Sequence, residues 1–175
     1  MQMRKSKLKF SRLNHIFISH LHGDHCFGLP GLISTFGMLN RTAELHIHAH
    51  ADLETLLTTQ LNYFCKNLPY KVIFHAIDPS KEALIYEDRS ITVHSIPLRH
   101  RIPCCGFLFA EKPRPNHILR EMIDFYQIPI YELNKIKNGA DYTTPQGEII
   151  PNNRLTSPSL SPRRYAYCSD TIYKE

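Results

Sequence analysis

Six residues, His20-Leu21-His22-Gly23-Asp24-His25, set three imidazoles and a carboxylate at the end of a short apolar run, Ile16-Phe17-Ile18. The run has the length and composition of a buried strand. On extended backbone, side chains at i and i+2 point to the same side, so His20 and His22 can converge on one ion. Gly23 permits a sharp turn, through which Asp24 and His25 reach round toward a second ion beside the first. Neutral imidazole and carboxylate donors suit zinc or a similar first-row divalent cation, and no cysteine is needed.

The rest of the chain sets the frame for that motif. At 175 residues it has the length of one ordinary domain, and 42% hydrophobic content with 7 Gly and 12 Pro argues against disorder. The net charge of +5 suits a polyanionic partner without requiring one. Five cysteines, with Cys104 and Cys105 adjacent and no Cys-x-x-Cys pair, fit neither a disulfide framework nor a cysteine zinc site. A reducing cytoplasm is the expected compartment. No signal peptide or membrane-spanning run is expected.

In chain order, residues 1–13 read as a short basic amphipathic helix, with Met3, Leu8 and Leu13 loosely periodic. Pro30 suits a first helical turn, and Leu32, Ile33, Phe36 and Leu39 carry a helix toward Asn40. Glu44 to His50 alternates strictly, which predicts a strand with Leu45, Ile47 and Ala49 on one face. His46, His48 and His50 then share the other face, expected to be an outward polar surface rather than a second metal site. A helix is expected from Asp52 to Cys65, a strand at Val72–Phe74, and a hairpin of residues 83–86 with 91–96 turned at Glu87-Asp88-Arg89. His100 follows a strand expected to end at Ile96-Pro97-Leu98-Arg99, where a lone histidine is as often a satisfied polar residue as a ligand. Residues 111–164 are rich in proline, with a helix expected from Asn116 to Tyr126 and an extended connector at 157–162. This interval holds eight Lys or Arg against six Asp or Glu, a mildly basic balance. Tyr165-Ala166-Tyr167 then reads as an apolar strand leading to Asp170.

His-x-His-x-Asp-His after an apolar strand resembles the signature of the metallo-β-lactamase superfamily. The continuation Cys26-Phe27-Gly28-Leu29-Pro30-Gly31-Leu32 is similar to the ribonuclease Z branch, whose members cut the 3′ trailer from precursor tRNA. His100 to Phe107, the Pro129-to-Gly139 stretch and Ser169-Asp170-Thr171 resemble further segments of that family. The resemblance implies an α/β (α+β) αββα sandwich, incomplete here, with residues 111–164 projecting as a tRNA-binding arm. It also implies a dinuclear zinc phosphodiesterase acting on precursor tRNA, cytoplasmic and homodimeric in the intact enzyme. His20, His22, His100 and Asp170 would hold the first ion, and Asp24, His25 and the bridging Asp170 the second, with Asp24 also orienting the attacking water.

The likeness extends over nearly all of the chain but only the middle of the family's domain, so a truncated copy is expected, with the second ion's site short of an imidazole. Two rival readings keep the fold. One is a phosphodiesterase acting on small substrates; the other is a non-catalytic zinc- and tRNA-binding remnant.

Overall fold

The computed structural model describes residues 5–173, which form two compact units. The first comprises residues up to Phe109 together with the segment from Tyr165 onward; the second is Ala110–Arg164. No helix among the described residues is long and apolar enough to cross a membrane, and all five cysteines are free.

In the first unit, β1 (His15–Phe17), β2 (Leu45–Ala49) and β3 (Val72–Ala76) make a parallel sheet in that order. The alternation seen in the sequence decides what each face meets. Leu45, Ile47 and Ala49 turn toward two helices, α2 (Leu29–Met38) and α3 (Asp52–Phe64), which contribute Ile33, Phe36, Leu53 and Leu57 to one buried cluster. Burying a side chain of the size of Ile33 or Phe36 contributes roughly 1.5–3 kcal/mol. Pro30 sits in the first turn of α2, and Asn40, with a left-handed φ of 56°, stops the chain from continuing helically. A one-turn helix, α1 (Gly23–Cys26), precedes α2.

A second sheet has the order β11-β6-β5-β4, built from β4 (Leu84–Glu87), β5 (Ile91–Pro97), β6 (Cys105–Glu111) and β11 (Arg164–Tyr167). Asp88 shapes the β4–β5 hairpin by accepting the backbone N–H groups of Ser90 and Ile91. Val93, Cys105 and Phe107 form the buried centre of this layer, against which Phe17 of β1 and Ile85 and Tyr86 of β4 pack.

The second sheet therefore covers part of the other face of the first, which corrects the expectation of an outward polar surface at His48, while His75 stays exposed. His48 is buried, its ring stacked on Phe17 at 4.4 Å and on His75 at 4.4 Å. His15 lies over His46 at 4.7 Å and meets Tyr86 at 4.3 Å. Two imidazole pairs join across the strands, His15 Nδ1 to His48 Nε2 at 3.2 Å and His46 Nδ1 to His75 Nε2 at 2.9 Å. A parallel sheet is normally covered on both faces, and here aromatic rings serve as the inner filling. His50 lies just past β2 and pairs with Asp52 at the start of α3 at 3.5 Å.

Two helix expectations are also corrected. Residues 1–4 of the expected N-terminal helix lie outside the described residues. Lys7 has a left-handed φ of 54°, which a continuing helix excludes, and the following residues carry only a 3-10 turn at Phe10–Arg12. The helix expected from Asn116 begins only at Arg120, because His117 and Ile118 pair instead as a short strand, β7, with Thr156 and Ser157.

The second unit has its own core. Around β7 (His117–Ile118) stand α4 (Arg120–Tyr126), α5 (Ile130–Lys137), the hairpin β8 (Tyr142–Thr143) and β9 (Ile149–Ile150), α6 (Asn152–Leu155) and β10 (Thr156–Ser157). Ile128, Ile136, Tyr142, Ile150 and Leu155 are buried together. Asn152 ties the loops, donating from Nδ2 to the carbonyls of Ile136 and Ala140 at 2.7 Å each and accepting from Thr156 Oγ1 at 2.9 Å. Glu111 holds Arg163 by ion pairing at 2.6 Å, which closes the two ends of the unit on each other.

The inter-sheet histidines generate a pH prediction. Burial, then the neighbouring His75, His15 and His46, push the His48 pKa down to about 3. In the unfolded chain His48 titrates near its ordinary value of 6.5. Between these values the unfolded state binds more protons, so stability is retained above pH 6.5 and lost as pH falls toward 3. Moving from pH 6.5 to 5 should remove up to about 2 kcal/mol through this group. His48→Phe, which keeps a ring in the stack, should flatten that part of the dependence in urea titrations at the two pH values.

Candidate metal centre

The histidine motif is held between the two sheets of the first unit by backbone hydrogen bonds. Ile18 N–H donates to the His48 carbonyl at 2.9 Å, beside β2, and Cys105 N–H donates to the Ser19 carbonyl at 3.0 Å, at the start of β6. The chain from Ser19 to His22 thus passes from one sheet to the other with its backbone fixed at both sides. Gly23 opens α1 without a left-handed φ, and a Cβ there would only turn the exposed Phe27 ring aside. His22 occupies the position before the first turn, so His20 and His22 stand on extended backbone while Asp24 and His25 lie within the turn.

His100 arrives on the loop after β5, closed by Leu98 N–H donating to the Cys104 carbonyl at 3.1 Å. Asp170 arrives after β11. Ile172 N–H donates to the Arg99 carbonyl at 2.9 Å, and Arg99 N–H to Thr171 Oγ1 at 3.2 Å, so the two segments are fastened together. Gly106 lets β11 lie close, since a Cβ there would fall 2.6 Å from the Tyr167 carbonyl oxygen.

The result is a cluster of four ligand atoms, one each from His20, His22, His100 and Asp170, all within 4.8 Å of one another. His20 Nε2 is 3.0 Å from His22 Nδ1, and His100 Nε2 is 3.2 Å from the same atom. Asp170 Oδ2 lies 3.7 Å from His20 Nε2 and 3.9 Å from His100 Nε2. Tetrahedral zinc with bonds of about 2.0–2.1 Å spaces its ligands about 3.3 Å apart, so the set fits such an ion in both donor type and spacing. Three imidazole nitrogens aimed at one point cannot all satisfy each other, whereas a cation satisfies them together.

The surroundings prepare His20 as a neutral ligand. Its ring is fully buried, and burial, then His25 and His22, lower its pKa while Asp170 alone among the main contributors raises it. Ser19 Oγ lies 3.0 Å from Nδ1. With Nδ1–H donating to that oxygen, the Nε2 lone pair faces the cluster. Cys104, buried, is 3.6 Å from the same Nδ1 and donates its thiol to the Asp170 carbonyl at 3.5 Å. Burial first, and Asp170 second, push the Cys104 pKa up, which keeps it a thiol.

Of the six residues singled out from the sequence, four thus meet at one point. His25 lies alongside, its ring 4.1 Å from that of His20, and Nε2 is 3.4 Å from Asp24 Oδ2. The Asp24 side chain is 80% exposed, so it stands at the rim rather than in the cluster. Sequence reasoning missed Ser19, Arg101, Cys104 and Gly106. Ser19 and Arg101 adjoin predicted ligands, a usable signal, but no spacing rule marks a lone buried thiol or a glycine required by a strand two sequence regions away.

Residues 1–118 match the family model described as the beta-lactamase superfamily domain. The chain belongs to the β-lactamase superfamily. Its metallo-β-lactamase fold is seen also in human tRNase Z, short form, which covers 83% of this chain and 70% of its own at a TM-score of 0.58 and 24% identity. Among curated relatives, "Ribonuclease Z" of Phocaeicola vulgatus is 73% identical over 173 residues, covering 99% of this chain and 56% of that protein. "Ribonuclease Z" of Bacteroides fragilis is 72% identical over 174 residues, covering 99% of this chain and 57% of that protein. "Ribonuclease Z" of Parabacteroides distasonis is 62% identical over 172 residues, covering 98% and 57% respectively. The chain therefore spans a little over half the length of these relatives. Membership of this superfamily implies metal binding, which agrees with the donor set described above.

Gly106 gives a direct test of how Asp170 is held. Gly106→Ala should destabilise the first unit by about 1–3 kcal/mol, because the strand must move to accept the methyl group. It should also shrink the rise in unfolding temperature produced by added zinc. A variant with unchanged zinc-dependent stabilisation would show that Asp170 is positioned without this close approach.

Proposed function

We propose that this chain is part of a zinc-dependent endoribonuclease that removes the 3′ trailer from precursor tRNA. The observation that carries the reading is 73% identity, over 99% of this chain, to a protein named ribonuclease Z. The convergence of three imidazoles and a carboxylate supports it with chemistry suited to a phosphodiester.

His20, His22, His100 and Asp170 would hold the first ion. Asp24 and His25, with Asp170 shared, would contribute to a second. A divalent cation bound there supplies Lewis acidity at a phosphoryl oxygen and lowers the pKa of a water. The chain's own residues supply the rest. Asp24, an exposed carboxylate beside His25, would accept a proton from a water and orient it. Ser19 and Cys104 fix His20, and the Arg99–Thr171 and Ile172–Arg99 bonds keep Asp170 in register with His100. Residues 111–164, mildly basic, act as the arm that contacts the tRNA body. The intact protein works as a cytoplasmic homodimer in this reading.

One observation favours a single firmly held ion in the chain as given: among the described residues, only His20, His22, His100 and Asp170 form a close ligand group. The test is zinc content by elemental analysis of the purified chain, with precursor-tRNA cleavage measured on a full-length counterpart. About one zinc per chain is expected, reduced sharply by His22→Ala and His100→Ala and retained by Asp24→Ala. In the full-length protein Asp24→Ala should slow cleavage about 10²-fold or more. Unchanged cleavage would remove Asp24 from its role, and zinc uptake indifferent to His22 and His100 would refute the assignment of the centre.

A further inference from the structure

Beside the metal cluster lies a cavity of about 720 Å³, walled largely by the loop from Leu98 to Cys104, with Ser80 and Ile172 opposite. His100 faces both the cavity and the cluster, so whatever occupies the cavity lies next to the metal ligands. Arg99 and Arg101, on either side of His100, also line it. The loop carrying them is fastened by the Leu98–Cys104, Arg99–Thr171 and Ile172–Arg99 hydrogen bonds already described, so the two guanidinium groups start from a fixed backbone.

Charge around the cavity is unbalanced. Neither Arg99 nor Arg101 forms an ion pair with a carboxylate among the described residues. The acid nearest in sequence to the cavity's other wall, Asp78, is already engaged by Lys81 Nζ at 3.0 Å and by Ser80 Oγ at 2.6 Å. Asp170 is turned to the histidines. Two arginines without acidic partners, next to a metal centre, form a site for an oxyanion, and the planar guanidinium fork matches phosphate oxygens two at a time.

Arg101 also reaches the candidate metal ligands: its Nε lies 3.1 Å from His22 Nε2, so its guanidinium spans from the cavity to the cluster.

We propose that Arg99 and Arg101 form a subsite for the phosphodiester backbone of the substrate, beside the metal centre. This rests on the nuclease reading above and names which residues grip the strand beside the reacting phosphate.

The test uses the zinc-loaded chain and a fluorescent, 2′-O-methylated RNA hexamer, with inorganic phosphate as a second probe. Arg99→Ala and Arg101→Ala should each weaken hexamer binding about ten-fold or more, as loss of a charge-assisted contact does. Each should also lower the slope of log affinity against log salt by about 0.7. Arg101→Lys should recover only part of the loss. Zinc affinity, followed by competition with a chromophoric chelator, should be unchanged in Arg101→Ala, whereas a merely structural role would weaken it. The proposal is overturned if the hexamer fails to bind the wild type, if both alanine variants bind it normally, or if Lys66→Ala, at a remote surface lysine, weakens it as much. Inorganic phosphate binding as tightly as the hexamer would overturn the assignment to a nucleic-acid backbone. Arginine-dependent hexamer binding, combined with a full-length protein that leaves precursor tRNA uncut, would sink the tRNA-processing reading and leave the subsite standing.

Discussion

Two backbone hydrogen bonds, from Ile18 to the His48 carbonyl and from Cys105 to the Ser19 carbonyl, hold one short segment between the sheets of the first unit. Everything at the metal centre depends on that double attachment. Residues two apart on a free loop could adopt many relative orientations; here His20 and His22 follow a stretch whose backbone groups are already committed on both sides. The ligands from elsewhere arrive by the same device. The His100 loop is closed on itself at Leu98 and Cys104, and then fastened to the residues that follow Asp170. A metal site assembled from three sequence regions needs each to be rigid before the ion comes, since an ion that had to order them would bind correspondingly more weakly.

The position of Asp170 shows how the layers are coupled. β11 is exposed along its length, with Tyr165 64% accessible, so little apolar packing restrains it. Its closeness to β6 is set by the absence of a side chain at Gly106. Backbone contact substitutes for side-chain packing on that edge, and the carboxylate just beyond the strand inherits its placement from it. The buried thiol of Cys104 touches both His20 and the Asp170 carbonyl, bridging ligands that are 150 residues apart in sequence.

Much of this was legible in the chain because it follows from periodicity. The apolar faces of β2, α2 and α3 were set by alternation and by helical spacing, and the four residues that converge were among six picked by motif and resemblance. What the pattern could not say was which side of the first sheet met water. His46 and His48 look like surface residues because they are polar, but their rings lie against His15, Phe17 and His75 of their own sheet, and Tyr86 of the second sheet meets His15 and His48. Imidazole is aromatic as well as basic, and at buried His48 it packs as a ring among rings. The late start of α4 has a similar cause: His117 and Ile118 have a strand partner, Thr156–Ser157, nearly forty residues away, which local periodicity cannot register. Arg101 and Gly106 were missed because their roles exist only once distant segments are brought together.

The ion pair between Glu111 and Arg163, reinforced by Glu111 N–H donating to the Arg163 carbonyl at 2.9 Å, brings the two ends of the second unit to the same place. A segment whose ends already meet can lengthen, shorten or be exchanged with a small change in closure entropy, because that entropy grows only with the logarithm of length. The unit also carries its own buried cluster and its own polar hub at Asn152. Selection can therefore redraw this excursion between neighbouring strands as a replaceable cassette, altering what the protein touches at a distance while the strand ends that carry His100 and Asp170 keep their spacing.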